Sequence, residues 1–185
     1  MRWLMVLTLM ALPAAAEEVC FAGVPKQVTY SDGRVITIIQ RHGDDLTYTT
    51  PYEGFQDSVT KTHLMLFPKQ GRAGARSSEY RWPSRLPGIE KMVPGFSFDL
   101  KGTMKSGGGA ALPYRNEGQV TGLEEVKVGK CRYPALVIKV NTWLDDQLIL
   151  TGTTWLSAEM MVVLKSETVP TSAGRQVSSV AVAVE

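Results

Sequence analysis

The region from Gln119 to Val169 constrains the fold of this chain more than any other. It consists of short apolar runs separated by turn residues, first Gly129-Lys130 and then Asp145-Asp146. Alternating apolar and polar residues between such turn signals are typical of antiparallel strands joined by hairpins. After residue 16, no apolar pattern of helical period with proper caps extends beyond about two turns. The region therefore predicts a sheet with little helix.

The same alternation appears on both sides of this region. Phe96, Phe98 and Leu100 share one face of a predicted strand, and four further strands are predicted between Val24 and Phe67. Another alternating run from Val177 to Val184 ends the chain. We predict a mainly β fold, a single curved antiparallel sheet or half-barrel of about 8–11 strands.

The first sixteen residues have the features of a secretory signal peptide. A positive start at Met1-Arg2 precedes an apolar run, and Ala14-Ala15-Ala16 supplies small residues for cleavage. We expect a mature chain of residues 17–185, a single β-rich domain that is periplasmic or secreted. The apolar run is too short to span a membrane, and no later stretch approaches the roughly 20 apolar residues required. We expect no integral membrane segment in the mature chain.

The two cysteines, Cys20 and Cys131, predict a structural disulfide. An oxidising compartment favours a bridge, and two cysteines allow one connectivity. A catalytic or metal-binding thiol pair would need a C-x-x-C motif or nearby histidines, which this sequence lacks. A lipid-modified Cys20 is a further alternative, but Glu17-Glu18-Val19 replaces the small and apolar residues that a lipoprotein signal places before its cysteine.

The charge balance gives no argument for nucleic acid as a partner. Without Arg2 the chain holds 19 basic and 18 acidic residues. The region from 69 to 91 is locally basic, with Tyr80 and Trp82 among its arginines. One interpretation is a patch for a lipid headgroup or another anionic partner. The other is an exposed connection that carries solvated charge. The arginines proposed for the patch are Arg72, Arg76, Arg81 and Arg85.

The sequence lacks the motifs of common catalytic and cofactor sites. His42 and His63 are isolated, and there is no H-E-x-x-H, G-x-S-x-G or dinucleotide-binding fingerprint. The glycine run at 107–109 is not followed by the Lys-Ser/Thr of a phosphate-binding loop, so a hairpin tip is favoured. We therefore predict that the protein is not an enzyme and uses no cofactor or metal.

One longer pattern resembles a known family layout. It begins at 124–135 with E-E-V-K-V-G-K-C-R-Y-P-A and, after a pair of strands, ends at 154–160 with T-W-L-S-A-E-M. It resembles the C-terminal half of uncharacterised exported bacterial proteins. Their half-barrel is similar to the periplasmic lipoprotein carriers and their receptor, LolA and LolB. In the carriers, the resemblance implies that acyl chains are held between a curved sheet and covering helices.

Two function hypotheses follow. The first is an exported, non-enzymatic binding protein that holds an apolar ligand or a partner's lipid anchor on the curved sheet. The second is an envelope interaction or scaffold protein that binds other proteins at sheet edges or through the basic region. For each residue of the proposed lining, simple core packing is the alternative. The proposed lining comprises Phe96, Phe98, Trp143, Trp155, Met160 and Met161.

Overall fold

The computed structural model describes residues 20–51, 57–172 and 174–185, so the predicted signal peptide lies outside the described residues. Among the described residues, the only helical segment is a 3-10 turn at Ile89–Lys91. None of these residues belongs to a helix long and apolar enough to cross a membrane. The strands are β1 (Gln27–Tyr30), β2 (Val35–His42), β3 (Asp45–Thr50), β4 (Ser58–His63), β5 (Phe67–Ala73), β6 (Arg76–Arg81), β7 (Ser97–Ser106), β8 (Ala111–Val128), β9 (Cys131–Leu144), β10 (Gln147–Ser157), β11 (Val162–Pro170) and β12 (Val177–Val184).

Each strand pairs antiparallel with the next one along the chain, and β12 pairs with β1 to close the sheet into a barrel. The predicted fold class is confirmed: the protein is mainly β with a single antiparallel sheet. The sheet goes further than the half-barrel of the prediction, because it closes around twelve strands in the described part of the chain. Two of the additional strands are β6, which lies within the region interpreted above as a basic connection, and β5, most of which lies there.

The closure produces two different ends, since turns alternate between them. The turns after β2, β4, β6, β8 and β10 lie with Cys20 and Glu185 at one end, here called the closed end. The turns after β1, β3, β5, β7, β9 and β11 lie at the other, here called the mouth. Fully buried apolar side chains fill the closed-end half, where they exclude water. They include Val28, Leu46, Leu64, Phe67, Leu156, Met160 and Leu164.

A disulfide ties the closed end together, as predicted. Cys20 and Cys131 are bridged across a sequence separation of 111 residues, with their Cα atoms 5.7 Å apart. Beside the bridge, the backbone N–H of Phe21 donates to the hydroxyl of Tyr133 at 3.1 Å. The N-terminal segment is therefore attached to the start of β9, next to the β8–β9 turn. A cross-link over so long a loop restricts the unfolded chain strongly.

The connection from β6 to β7 also packs at the closed end. Trp82 donates from Nε1 to the carbonyl of Pro68 at 2.8 Å. The backbone N–H of Ile89 donates to Oδ2 of Asp44 at 3.1 Å, and Met92 is 2% exposed. These contacts fix the connection against the β2–β3 turn and the start of β5.

Candidate functional site

The mouth-end half of the barrel holds a cavity of about 240 Å³. Seven of the strands, β1, β3 and β7 to β11, contribute to it, among them β3 through Tyr48, β7 through Phe98 and β11 through Ser166. Since neighbouring residues on a strand face opposite sides of the sheet, the residues that line the cavity are the inward-facing ones. The cavity is therefore the unfilled part of the barrel interior.

The β4–β5 turn forms part of the cavity wall on the side of the packed core. Leu64 and Met65 both adopt left-handed backbone conformations with φ of 53°, which are uncommon for residues other than glycine. Leu64 is 0% exposed, whereas Met65 and Leu66 line the cavity. Strain of about 1–3 kcal/mol per residue persists only where the surroundings enforce it, and burial of Leu64 provides that support here.

The turn also reaches strand β8, which lies three positions away around the barrel from β5. The side-chain amide of Asn116 donates to the carbonyl of Leu66 at 3.5 Å. Asn116 lines the cavity and is only 3% exposed, and its carbonyl oxygen Oδ1 has no hydrogen-bond partner among the described residues. The Leu66 carbonyl requires a donor, so it fixes the amide nitrogen toward the turn. An unpaired buried acceptor of this kind costs about 1–3 kcal/mol.

Aromatic rings form a second part of the wall. The ring of Phe98 lies over Gly118, where an added Cβ would come 2.6 Å from Phe98 Cζ. Phe98 also meets the ring of Phe67 edge-on at 5.1 Å. Tyr114 is enclosed by the rings of Tyr80 and Trp82, at 4.9 and 5.5 Å. Such edge-to-face contacts hold the rings in fixed orientations.

Three tyrosines line the cavity, and all are held in the neutral form. Burial raises the pKa of Tyr30 and Tyr114 well above the ordinary value, and it raises the pKa of Tyr48 as well. The hydroxyl of Tyr30 donates to the carbonyl of Val163 at 2.7 Å, which fixes that ring at the wall. These phenols contribute apolar rings and neutral hydroxyls to the cavity, and no charge.

A strip of hydroxyl side chains lies on β10 and β11. Thr154 is paired with Ser166 across the two strands, and Thr168 is paired with Gly152. All of these residues line the cavity, as does Thr142 on the neighbouring strand β9. Thr142 is 8% exposed, so its polar side chain belongs to the interior and not to the rim.

The charged residue of the cavity lining is Arg34, which lies just after the β1–β2 turn at the mouth. Its guanidinium bonds Asp32 Oδ2 at 3.3 Å and Ser179 Oγ at 3.0 Å. It also stacks over the Tyr30 ring, 4.7 Å from the centroid. The carboxylate of Asp32 therefore neutralises the charge beside the cavity.

Of the six residues predicted to line a ligand site, only Phe98 lies among the described residues on this cavity. Met160 and Met161 are 0% and 2% exposed in the core, not at a rim, because the β10–β11 turn folds inward at the closed end. Phe96 packs against that core. The two tryptophans contact polar side chains that do not line the cavity. Trp155 donates to Glu124 at 2.8 Å beneath Lys165, and Trp143 lies beneath Arg115.

The four arginines of the predicted anionic-partner patch do not form one surface. Arg72 and Arg76 flank the β5–β6 turn at the mouth, whereas Arg81 ends β6 near the closed end. With a rise of about 3.3 Å per residue, Arg76 and Arg81 are about 17 Å apart along the strand. Arg81 pairs with Glu79 at 3.1 Å, and Arg85 lines a separate pocket. Strands β5 and β6 were not predicted from the sequence, and the extended β6 strand places Arg76 and Arg81 at opposite ends of the barrel.

That separate pocket, at the closed end, contains a hydrogen-bonded group that sequence reasoning did not find. His63 Nδ1 lies 2.8 Å from Asp45 Oδ1, and Lys69 donates to Asp45 Oδ2 at 2.7 Å. Burial raises the pKa of Asp45, but the hydrogen bonds from Lys69 and His63 outweigh it and hold that pKa below its usual range. The cross-strand pairing of Asp45 with His63 brings them together.

The His63–Asp45 pair resembles part of a catalytic triad, but it holds the β6–β7 connection in place. His63 Nε2 faces the carbonyl of Pro87 at 2.9 Å, so the atom that would take a proton from a nucleophile is already occupied. The contact fixes the β6–β7 connection, together with the Asp44 bond described above. Among the described residues, no group of three or more His, Cys, Asp and Glu side chains is arranged to hold a metal ion.

No protein-family model matches the sequence, and no curated protein sequence matches it. The structure is similar to that of the hypothetical lipoprotein YmcC from Escherichia coli K12, with a TM-score of 0.54, 9% sequence identity and coverage of 85% of this chain and 82% of that chain. It is also similar to a Bacteroides fragilis protein described as exported and as having a YmcC-like fold. There the TM-score is 0.51 at 14% identity, over 90% of this chain and 100% of that chain.

At these identities the likeness shows the fold alone. The predicted resemblance to uncharacterised exported bacterial proteins is confirmed at that level. The finer likeness to LolA and LolB stays a prediction.

Proposed function

We propose that this protein is an exported, non-enzymatic binding protein that holds a small ligand in the mouth-end cavity. The observation that carries the proposal is the buried side chain of Asn116, which borders the cavity and whose enclosed carbonyl oxygen has no partner among the described residues. A buried polar group without a partner calls for an explanation, and a bound molecule that donates a hydrogen bond is one. The rigid aromatic wall supports the same function, because pre-formed pockets lose little entropy on binding.

Export is supported by three independent features. The first sixteen residues carry a signal-peptide pattern, the Cys20–Cys131 bridge is typical of oxidising compartments, and one structural neighbour is described as a lipoprotein and the other as exported. The proposal that the protein is not an enzyme is supported by His63. Its second ring nitrogen faces the Pro87 carbonyl, so it is not available to a nucleophile.

Native mass spectrometry of protein purified from its own compartment tests the binding function. We expect a co-purifying small molecule in the natural protein and its loss in Ser166→Leu, which places apolar bulk in the cavity. Thr151→Leu is the matched control, because Thr151 is exposed on the next strand and lies outside the cavity lining. An empty natural protein, or equal retention by both variants, would contradict the proposal.

A second candidate function is envelope protein interaction without a ligand, favoured by exposed apolar side chains near the mouth. Leu112, Leu148, Ile149 and Val177 are 37–49% exposed, and each lies within three residues of a strand end there. The closed sheet offers no free edge in the described part of the chain, so a partner would bind this rim and not a sheet edge. An empty protein that captures one envelope partner, with capture lost in Leu148→Lys, would favour this second function.

A further inference from the structure

We propose that the cavity takes a neutral small molecule with several hydroxyl groups, of the size of a polyol or a monosaccharide. This inference rests on the proposed binding function and narrows it to a ligand class. It differs from the apolar ligand expected from the sequence, and the difference comes from the side chains that line the cavity.

The electrostatics of the cavity favour a neutral ligand. Arg34 is the charged residue of the lining, and its guanidinium already bonds Asp32 and Ser179 and stacks on Tyr30. An anion would have to compete with the Asp32 carboxylate for that guanidinium. A cation would find no carboxylate among the lining residues. Because an unpaired charge in a buried site is costly, a neutral molecule fits best.

The hydroxyl strip opposes a purely apolar ligand. Thr154, Ser166 and Thr168 line the cavity along β10 and β11, whereas Thr142 on β9 already has the Tyr114 hydroxyl as a hydrogen-bond partner. Covering these groups with an acyl chain would remove water from them without replacing its hydrogen bonds. Hydroxyl groups of a ligand can both donate to and accept from such side chains, so they replace the water without that penalty.

Asn116 adds a specific requirement for a donor. Its Oδ1 atom is enclosed and unpaired, and the bond from its Nδ2 atom to Leu66 is long at 3.5 Å. A weakly held amide can adjust as a ligand enters, so that Oδ1 accepts a hydrogen bond from a ligand hydroxyl. The Leu66 carbonyl still requires a donor, and Nδ2 provides it.

The rings and the volume define the rest of the ligand. Phe98 and the neutral Tyr30 and Tyr114 supply apolar surface beside the hydroxyl strip, which suits a molecule with a C–H face and a hydroxyl edge. A volume of about 240 Å³ equals the share of about eight water molecules in the liquid. It lies below the roughly 300–1,000 Å³ of pockets for drug-sized ligands, which points to a single small ring or a short polyol.

Calorimetric titration of the exported, disulfide-bonded protein tests this inference. The probes are D-glucose, D-galactose, N-acetyl-D-glucosamine, myo-inositol and glycerol, against decanol, decanoate and inorganic phosphate. We expect saturable binding within the hydroxylated group and none in the other. Asn116→Leu should weaken that binding at least about tenfold, as loss of one buried hydrogen bond predicts.

The matched control for that variant is Asn141→Leu. Asn141 lies on the neighbouring strand outside the cavity lining, where its amide donates to Glu117 at 3.2 Å. It should leave binding unchanged. The melting temperature separates a ligand role from a structural one. Asn116→Leu removes the unpaired acceptor but also the long bond to the Leu66 carbonyl, two opposing effects of similar size, so the empty variant should melt close to the natural protein. A lower melting temperature with unchanged affinity would overturn the role assigned to Asn116.

The outcomes distinguish this inference from the proposed function. Binding of decanol, decanoate or phosphate without binding of any hydroxylated probe overturns the ligand class and leaves the binding function in place. If no probe binds, a hydroxylated neutral molecule found by native mass spectrometry supports the ligand class, and a co-purified lipid or anion overturns it. An empty protein in that experiment overturns both.

Discussion

The two halves of the barrel interior are built from the same strands but filled in opposite ways. On β10, Leu156 is fully buried in the packed half, whereas Thr154 lines the cavity two residues away. On β11, Leu164 and Ser166 show the same change over the same distance. On these two strands the switch from apolar to hydroxyl side chains thus occurs within one inward-facing step. Apolar residues such as Val140 line the cavity as well, so its wall is mixed where the packed half is mainly apolar.

The comparison separates residues that stabilise the barrel from residues that shape its cavity. Apolar burial is the main favourable contribution to folding, so the closed-end half should carry most of the stability. Polar side chains around the cavity contribute less, because the hydrogen bonds that they exchange with water are nearly balanced. Three measurements test this division.

The largest expected effect comes from the disulfide at the closed end. Replacing both cysteines, Cys20→Ser with Cys131→Ser, should lower the free energy of unfolding by about 4–5 kcal/mol, because a loop of more than a hundred residues is no longer closed in the unfolded chain. Chemical denaturation of oxidised natural protein and of the double variant measures it. A loss below about 1 kcal/mol would show that the bridge does not secure the packed half.

A matched pair of substitutions on β10 should give the next largest effect. Leu156→Ala leaves a hole in the packed half and should lower the free energy of unfolding by about 2–5 kcal/mol. Thr154→Ala shortens a side chain that already borders the cavity. It should lower the free energy of unfolding by no more than about 1 kcal/mol. Equal losses in the two variants would mean that the cavity wall is as tightly packed as the core.

The smallest effect concerns the tyrosines of the cavity. Burial raises the pKa of Tyr30 and Tyr114 in the folded protein above the unfolded value of about 10. The folded state then binds more protons than the unfolded one above that pH, so this stabilisation is complete below about pH 10 and is lost as the pH rises further. Ultraviolet titration of phenolate formation, natural protein against Tyr114→Phe, measures it. Ordinary titration of Tyr114 would indicate a cavity fully open to water.

The sequence predicted the packed half better than the hollow one. Alternation of apolar residues identified the strands of the region 119–169 and the Cys20–Cys131 bridge followed from the cysteine count. Strands β5 and β6 were missed because their sequences are largely polar and charged, so they lack the apolar alternation that marks a strand. Closure of the sheet depends on those two strands.

The cavity residues could not be predicted for a related reason. Threonine, serine and asparagine on a strand usually mark a solvent-facing side, so Asn116 and Ser166 carry no signal of a buried position. The tryptophans and methionines drew attention instead, and they lie elsewhere: Met160 and Met161 in the core, Trp155 under Lys165. The inward direction of Ser166 is evident only from its pairing with Thr154 across β10 and β11.

The β4–β5 turn determines the depth of the cavity. Since Met65 and Leu66 line the cavity from a turn and not from a strand, the depth of the cavity is set independently of the hydrogen-bonded ladder around it. Lengthening or shortening this turn by a residue would alter the room available for a ligand while every strand kept its neighbours. Substitutions at the three residues of this turn would therefore change the volume of the cavity while the strand pairing stays the same.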